Sequence, residues 1–240
     1  YLLIKTADKA ANISETTLTA FVYKYDNTIT TIHDTAFYQA QAIATAGAAD
    51  WESFVINNET YLAVANYRSS SSNFNLDSKI YKWDGSDFAE FQAIPTKGAM
   101  DWESFVINNE TYLAVANFRS SSSNFNLDSK IYKWDGSNFV EFQAIPTYGA
   151  RDWESFVINN ETYLAVANYR NGSNYNIDSK IYKWDGGGFK DLQTIPTNGA
   201  IDWESFVIDG ESYLAVANYY NNSTYNIDSK IYKWNGEGFE

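Results

Sequence analysis

In the segment Tyr61-Leu-Ala-Val-Ala-Asn66, the bulky Leu62 and Val64 alternate with Tyr61, Ala63 and Ala65. Successive strand side chains point to opposite faces, so this segment reads as a strand with one bulky face and one mostly small face. Both faces are apolar, which predicts that both are covered. Three other blocks share its character: Asp50-Trp-Glu-Ser-Phe-Val-Ile56 before it, and Ser78-Lys-Ile-Tyr-Lys-Trp-Asp-Gly85 and Phe91-Gln-Ala-Ile-Pro-Thr96 after it. Each is short, rich in β-branched and aromatic residues, and bounded by Gly, Asn, Asp or Pro, as strands joined by tight turns are. The blocks predict strands near 51–56, 61–66, 79–83 and 89–94. No window supports a long amphipathic helix.

Turn chemistry agrees. Asn57-Asn58 joins the first two blocks, and the last copy has Asp209-Gly210 there. Asp-Gly is the preferred filler of a two-residue type I′ hairpin, and Asn tolerates the same left-handed backbone. Trp-Asp-Gly at 83–85, and Trp-Asn-Gly at 234–236, read as a second hairpin. Pro95, Pro146 and Pro196 fall near the end of the fourth block, which suits an edge strand where a missing N–H costs nothing.

The blocks recur as a set, with the first-block Trp at 51, 102, 153 and 203. Tandem four-strand units covered on both faces predict an all-β fold, a β-propeller of four-stranded antiparallel blades. A β-solenoid is the alternative, but its coils are usually shorter. The units span approximately 1–49, 50–100, 101–151, 152–201 and 202–240. In the diverged first unit, Tyr1-Leu-Leu-Ile4 aligns with the second strand, Val22-Tyr-Lys-Tyr25 with the third and Gln41-Ala-Ile43 with the fourth. That unit lacks its first strand and the last stops before its fourth, so about five blades are expected in a single domain over 1–240.

Composition narrows the function. Aromatics make up 18% of the chain, too many to leave in water, so disorder is excluded. The net charge of −13 repels phosphate backbones and anionic membranes, so nucleic acid is not an expected partner. There is no cysteine for a disulfide, a thiolate metal site or a nucleophile. Apolar runs are of strand length, so membrane insertion is not expected. A chain beginning at Tyr1 leaves room for a signal peptide removed before it.

The first block opens with carboxylates two residues apart, hence on one face: Asp50 and Glu52, Asp101 and Glu103, Asp152 and Glu154, Asp202 and Glu204. Inner strands crowd a propeller's axis, so Asp50, Asp101, Asp152 and Asp202 are candidate Ca²⁺ ligands. Alternatively these acids accept blade-edge N–H groups or pair with Lys82, Lys133, Lys183 and Lys233. A buried unpaired carboxylate is too costly. A glycosidase reading fails, because catalysis needs two acids in unlike environments and identical repeats supply like ones. The single histidine, His33, has no Ser or Cys nucleophile repeated near it. The chain is not expected to be an enzyme.

Trp51 and Trp83 sit in strands among apolar neighbours, the packing role of large aromatics. The loop aromatics Phe74, Phe125, Tyr175 and Tyr225 are the ones free to act as ligand platforms. They lie in second-to-third connections of about ten residues, such as Arg68 to Asp77, whose Ser, Asn and aromatic content resembles that of paratopes. Arg68, Arg119 and Arg170 enter these loops at equivalent places, with Tyr220 in the last unit; both types are enriched at interface hot spots. The fourth-to-first connections change identity at Ala46 and Ala49, Lys97 and Met100, Tyr148 and Arg151, Asn198 and Ile201. With strands running alternately up and down, both connections share one rim. Variation confined to one rim of a constant scaffold is how binding loops diversify, with drift at exposed positions as the alternative. Asn-x-Ser/Thr sequons occur at Asn12, Asn58, Asn109, Asn160, Asn171, Asn221 and Asn222.

The pattern Gly-Ala-x-Asp-Trp-Glu-Ser-Phe, followed by Tyr-Leu-Ala-Val-Ala-Asn and Ser-Lys-Ile-Tyr-Lys-Trp, resembles the epilepsy-associated repeat, also called EPTP, of the leucine-rich glioma-inactivated proteins and related secreted or cell-surface proteins. The resemblance covers nearly the whole chain, strongly from Asp50 to Glu240. It implies a seven-bladed propeller that binds other proteins outside the cell, and it is consistent with a channel cation. The expected function is therefore a secreted or surface-displayed protein-binding or adhesion module. A multivalent carbohydrate-binding lectin, with glycan as partner, and a structural repeat segment of a fibre are the alternatives.

Overall fold

The computed structural model describes residues 3–4, 20–23, 29–32 and 39–240, which fall into two compact units, Tyr1–Ala42 and Ile43–Glu240. In the first unit, strands Leu3–Ile4, Ala20–Tyr23 and Ile29–Ile32 pair antiparallel in that order. This corrects the alignment made from sequence. Residues 41–43 form no strand, and the strand after Ala20–Tyr23 is the β-branched run Ile29-Thr-Thr-Ile32, which the repeat motif does not flag. Asn12 and His33 lie outside the described residues.

The second unit holds four antiparallel meanders. The first is Ala48–Ile56, Glu59–Asn66, Asn75–Trp83 and Phe88–Lys97. The next is Ala99–Ile107, Glu110–Asn117, Asn126–Trp134 and Phe139–Tyr148. Ala150–Ile158, Glu161–Asn168, Asn176–Trp184 and Phe189–Asn198 repeat the pattern. The last has three strands, Ala200–Ile208, Glu211–Asn218 and Lys230–Lys233. First strands of successive sheets lie side by side, and the sheets are the blades of a β-propeller. Among the described residues no helix is long and apolar enough to cross a membrane.

The small face of the second strand has a definite partner. Ala63 and Ala65 let Trp102 of the next blade come close enough for its indole N–H to donate to the Val64 carbonyl at 3.1 Å. Trp102, Trp153 and Trp203 are therefore buried. Trp51 and Trp83, expected to pack in the same way, are 40% and 41% exposed, since the first sheet of this unit has no preceding sheet within it. On the same face Phe54 stacks on Tyr61 and meets Phe139 of the next blade edge-on, 5.7 Å between centroids. At the outer edge a side-chain amide joins neighbouring fourth strands: Phe139 N donates to Gln92 Oε1 (2.9 Å) and Gln92 Nε2 donates to Phe139 O (2.8 Å). Gln143 with Phe189, and Gln193 with Phe239, repeat it.

Both hairpins form as their residues demand. Asn57 and Asn58 have φ of 50° and 64°, and Asp209 and Gly210 take the same place with 52° and 81°. Asn58→Gly should accordingly be neutral or stabilising, while Asn58→Val should cost about 1–2 kcal/mol in urea melts, because a β-branched residue cannot hold the left-handed backbone. Equal effects of the two would contradict the turn. In the second hairpin Asp84 Oδ1 accepts the Ser86 and Asp87 N–H groups at 2.8 and 3.0 Å.

Candidate binding rim

The second-to-third loops and the fourth-to-first connections do share a rim. Gly98 sits at the turn between Lys97 and Ala99 with φ of 56°, and a Cβ there would lie 2.9 Å from the Arg119 carbonyl. Its N–H donates to Phe74 O at 2.6 Å, while Phe118 N and Arg119 N donate to Gly98 O and Lys97 O at 3.2 Å. One connection thus ties the loop of its own blade to the loop of the next. Gly149 repeats the arrangement with Phe125, Tyr169 and Arg170. The loops are shorter than expected, residues 67–74 in the first blade, because Asn75, Leu76 and Asp77 pair with Lys97, Thr96 and Pro95.

A buried asparagine clamps each connection. Lys97 N donates to Asn117 Oδ1 and Asn117 Nδ2 donates to Asp128 O, both at 2.9 Å. Asn66 and Asn168 do the same. From the sequence this asparagine reads only as the last residue of the second strand. Its invariance from unit to unit, beside a connection that changes, was the available signal.

The loop aromatics are not uniformly free. Phe74 and Phe125 are buried, with exposures of 0% and 2%, which corrects their expected role as open platforms. Phe118, Phe125 and Tyr169 form a small core under the loops, joined by Tyr67, Met100 and Tyr175. The Arg119 guanidinium lies 4.0 Å over the Phe74 ring of the preceding blade and hydrogen-bonds the Tyr67 hydroxyl. Arg170 covers Phe125 at 4.2 Å and donates to Tyr175 O–H at 2.6 Å. These arginines are blade-to-blade staples through cation–π contact. In the last unit Tyr220 meets Tyr175 edge-on at 4.9 Å. Arg68 and Tyr225 are exposed.

The two changing positions of each connection go to different places. In each first strand the register skips one residue: Ala48 pairs with Asn66 and Asp50 with Ala65, leaving Ala49 unpaired. Met100, Arg151 and Ile201 are the equivalent bulge residues. A bulge re-aims its side chain. All four line a depression of about 480 Å³ together with Asp50, Asp101, Asp152, Asp202, Tyr169 and Tyr219. Arg151 lies 4.6 Å from the Tyr169 centroid and 5.0 Å from that of Phe118. The other changing position faces outward: Lys97 lines one groove between blades and Tyr148 the next. Asn198 is half-buried, its carbonyl accepting from Tyr219 N.

The carboxylates link blades. Trp102 N, Trp153 N and Trp203 N donate to Oδ2 of Asp50, Asp101 and Asp152 at 3.2, 2.9 and 2.8 Å. Ser104 N, Ser155 N and Ser205 N donate to Glu52, Glu103 and Glu154 at 3.2, 2.9 and 2.8 Å. The lysine pairing entertained from sequence does not occur. Lys82, Lys133, Lys183 and Lys233 pair instead with Glu59, Glu110, Glu161 and Glu211 across the second and third strands. Among the described residues no group of three His, Cys, Asp or Glu side chains is placed to hold a metal ion.

Burial, and then the neighbouring Asp152 and Asp50, push the Asp101 carboxyl well above its ordinary range. Burial likewise pushes Glu103 up to about 7, with Glu154 and Glu52 adding to the shift. A carboxyl whose folded pKa is raised costs stability when ionised. That cost is absent below its unfolded value of 4.5 and fully present above about 7. Glu103→Gln, which keeps an acceptor for Ser155 N, should raise stability by about 1–2 kcal/mol at pH 8 and by little at pH 4.5. Tm measured for both proteins across that window checks it; a gain independent of pH would contradict it.

The EPTP domain model matches residues 36–84, 87–135, 138–185 and 188–235. This chain belongs to the EPTP family. Each EPTP copy is offset from a blade by one strand: 87–135 holds the fourth strand Phe88–Lys97 and the first three strands of the next blade. The Gly98 turn and its Asn117 clamp therefore lie inside one copy. Among relatives, the human thrombospondin-type laminin G domain and EAR repeat-containing protein is 42% identical over 158 residues, 64% of this chain and 22% of its own length. Human leucine-rich glioma-inactivated protein 1 is 29% identical over 96 residues, 39% of this chain and 16% of its own. The chain spans about a fifth of the length of the first of these relatives, in human and mouse alike. A solved Bacteroides fragilis structure named for 6-phosphogluconolactonase covers 93% of this chain and 63% of its own at 12% identity and a TM-score of 0.56. At that identity the likeness is one of fold alone.

Proposed function

We propose that this EPTP chain is an extracellular or cell-surface protein-binding module, without catalytic activity, that receives its partner on the loop rim. The observation that carries this is the fate of the changing residues. In a scaffold repeated almost unchanged, bulges turn Met100, Arg151 and Ile201 into one acidic depression, and Lys97 and Tyr148 line separate grooves. Constant residues hold the blades and changing ones face a ligand. The EPTP membership supports a partner outside the cell.

The test is binding to cells or to an isolated protein partner. Lys97→Ala with Arg151→Ala should weaken it at least about tenfold, or about 1.4 kcal/mol, while Tm falls by no more than a few degrees. Unchanged affinity would overturn the proposal. A lectin reading has one observation in its favour: Tyr148, 37% exposed, stands in a groove of about 480 Å³ with Asn171 and Asn176. A glycan array separates the two readings.

A further inference from the structure

We infer that Asn58, Asn109 and Asn160 are N-glycosylation sites, and that the first sugar on each covers apolar surface of the hairpin rim. The three begin Asn-Glu-Thr sequons, the acceptor pattern for this modification. Each occupies the second position of the first hairpin, with φ of 63–64°, and each is exposed. Their carboxamides make no hydrogen bond within the described residues. Of the other described sequons, Asn171 is also exposed, but it sits on the loop rim with its backbone bridged to Asn174. Asn222 accepts from Tyr175 N at 2.7 Å and donates to Asn174 at 2.9 Å, and Asn221 caps the Ser223 and Thr224 N–H groups.

The rim around these asparagines carries the second observation. Val55, Val106 and Val157 are 58–60% exposed near the ends of the first strands, one per blade. Asn160 shares a concavity of about 340 Å³ with Val106, Val157, Thr162 and Trp184. Exposed valine beside an acceptor asparagine suits the apolar face of an N-acetylglucosamine ring. The reaction joins the Asn amide nitrogen to C1 of that sugar, breaking its bond to the pyrophosphate of a lipid-linked oligosaccharide donor. The amide gives up one proton as the lipid pyrophosphate leaves. The last unit, with Asp209-Gly210, has no acceptor there. Glycans so placed leave the loop rim free.

The inference rests on the extracellular reading, so the test supplies a heterologous secretion signal in a eukaryotic host; failure of the native chain to be exported then bears only on that reading. Glycopeptide mass spectrometry should find Asn58, Asn109 and Asn160 occupied. The triple Asn→Gly variant, which copies the hairpin glycine of the last unit, should lose the mass of three glycans and keep its Tm within a few degrees. Protein trimmed enzymatically to a single sugar per site should melt about 2–4 °C above the unglycosylated protein made in bacteria. Unmodified hairpin asparagines would overturn the assignment. Equal melting of the two forms would overturn the covering role.

Discussion

Phe125→Ser should destabilise the protein by about 3–5 kcal/mol, although Phe125 belongs to a loop. Its ring is 2% exposed, meets Phe118 edge-on at 5.3 Å and lies under the Arg170 guanidinium at 4.2 Å. Serine leaves a cavity, strands a hydroxyl among aromatic rings and removes the surface on which Arg170 rests. The matched control is Tyr225→Ser in the last unit, where the side chain is 67% exposed. Its cost should stay within about 1 kcal/mol. Urea unfolding of the two variants decides; similar losses would mean that the rim aromatics do not form a core of their own.

Asn117→Ala should cost about 1–3 kcal/mol, since it removes a buried side chain and leaves the part-buried Lys97 N–H and Asp128 carbonyl without their partner. Replacement by Asp should help little, as it keeps the acceptor but turns a carboxylate toward a carbonyl. Asn168→Ala should match it, because the same two bonds are made from a side chain equally buried. Asn218→Ala should cost distinctly less, for Asn218 is half-exposed and water can replace what is lost. Denaturation midpoints with a common slope would measure the series. A flat response across the three positions would contradict the clamp.

These clamps mark the boundary of what the residue pattern conveys. Hairpin positions and the two-sided burial of Tyr61 to Ala65 were legible, because tight turns and strand alternation act through nearest neighbours. The third strand was drawn from residue 79 rather than Asn75, because Asn and Asp weigh against a strand and only pairing with the Pro95 segment overrules them. The bulges escaped notice for a different reason. Skipping Met100 or Arg151 is a matter of register between strands, which no single strand records. Variation at those positions was visible, but not that a bulge gathers them into one depression while Lys97 and Tyr148 are sent to separate grooves. Phe74 and Phe125 read as open from their Ser- and Asn-rich surroundings, since composition says nothing of an arginine arriving from the next blade to cover them.

Hydrogen exchange of the protein with and without its protein partner tests the assignment of the binding face most directly. The account predicts slowed exchange on binding along 98–101, 149–152 and 199–202 and in the loops 67–74 and 118–125, with the hairpins at 84–87 and 135–138 unchanged. Protection confined to those hairpins, with the loop rim exchanging as in the free protein, would contradict it.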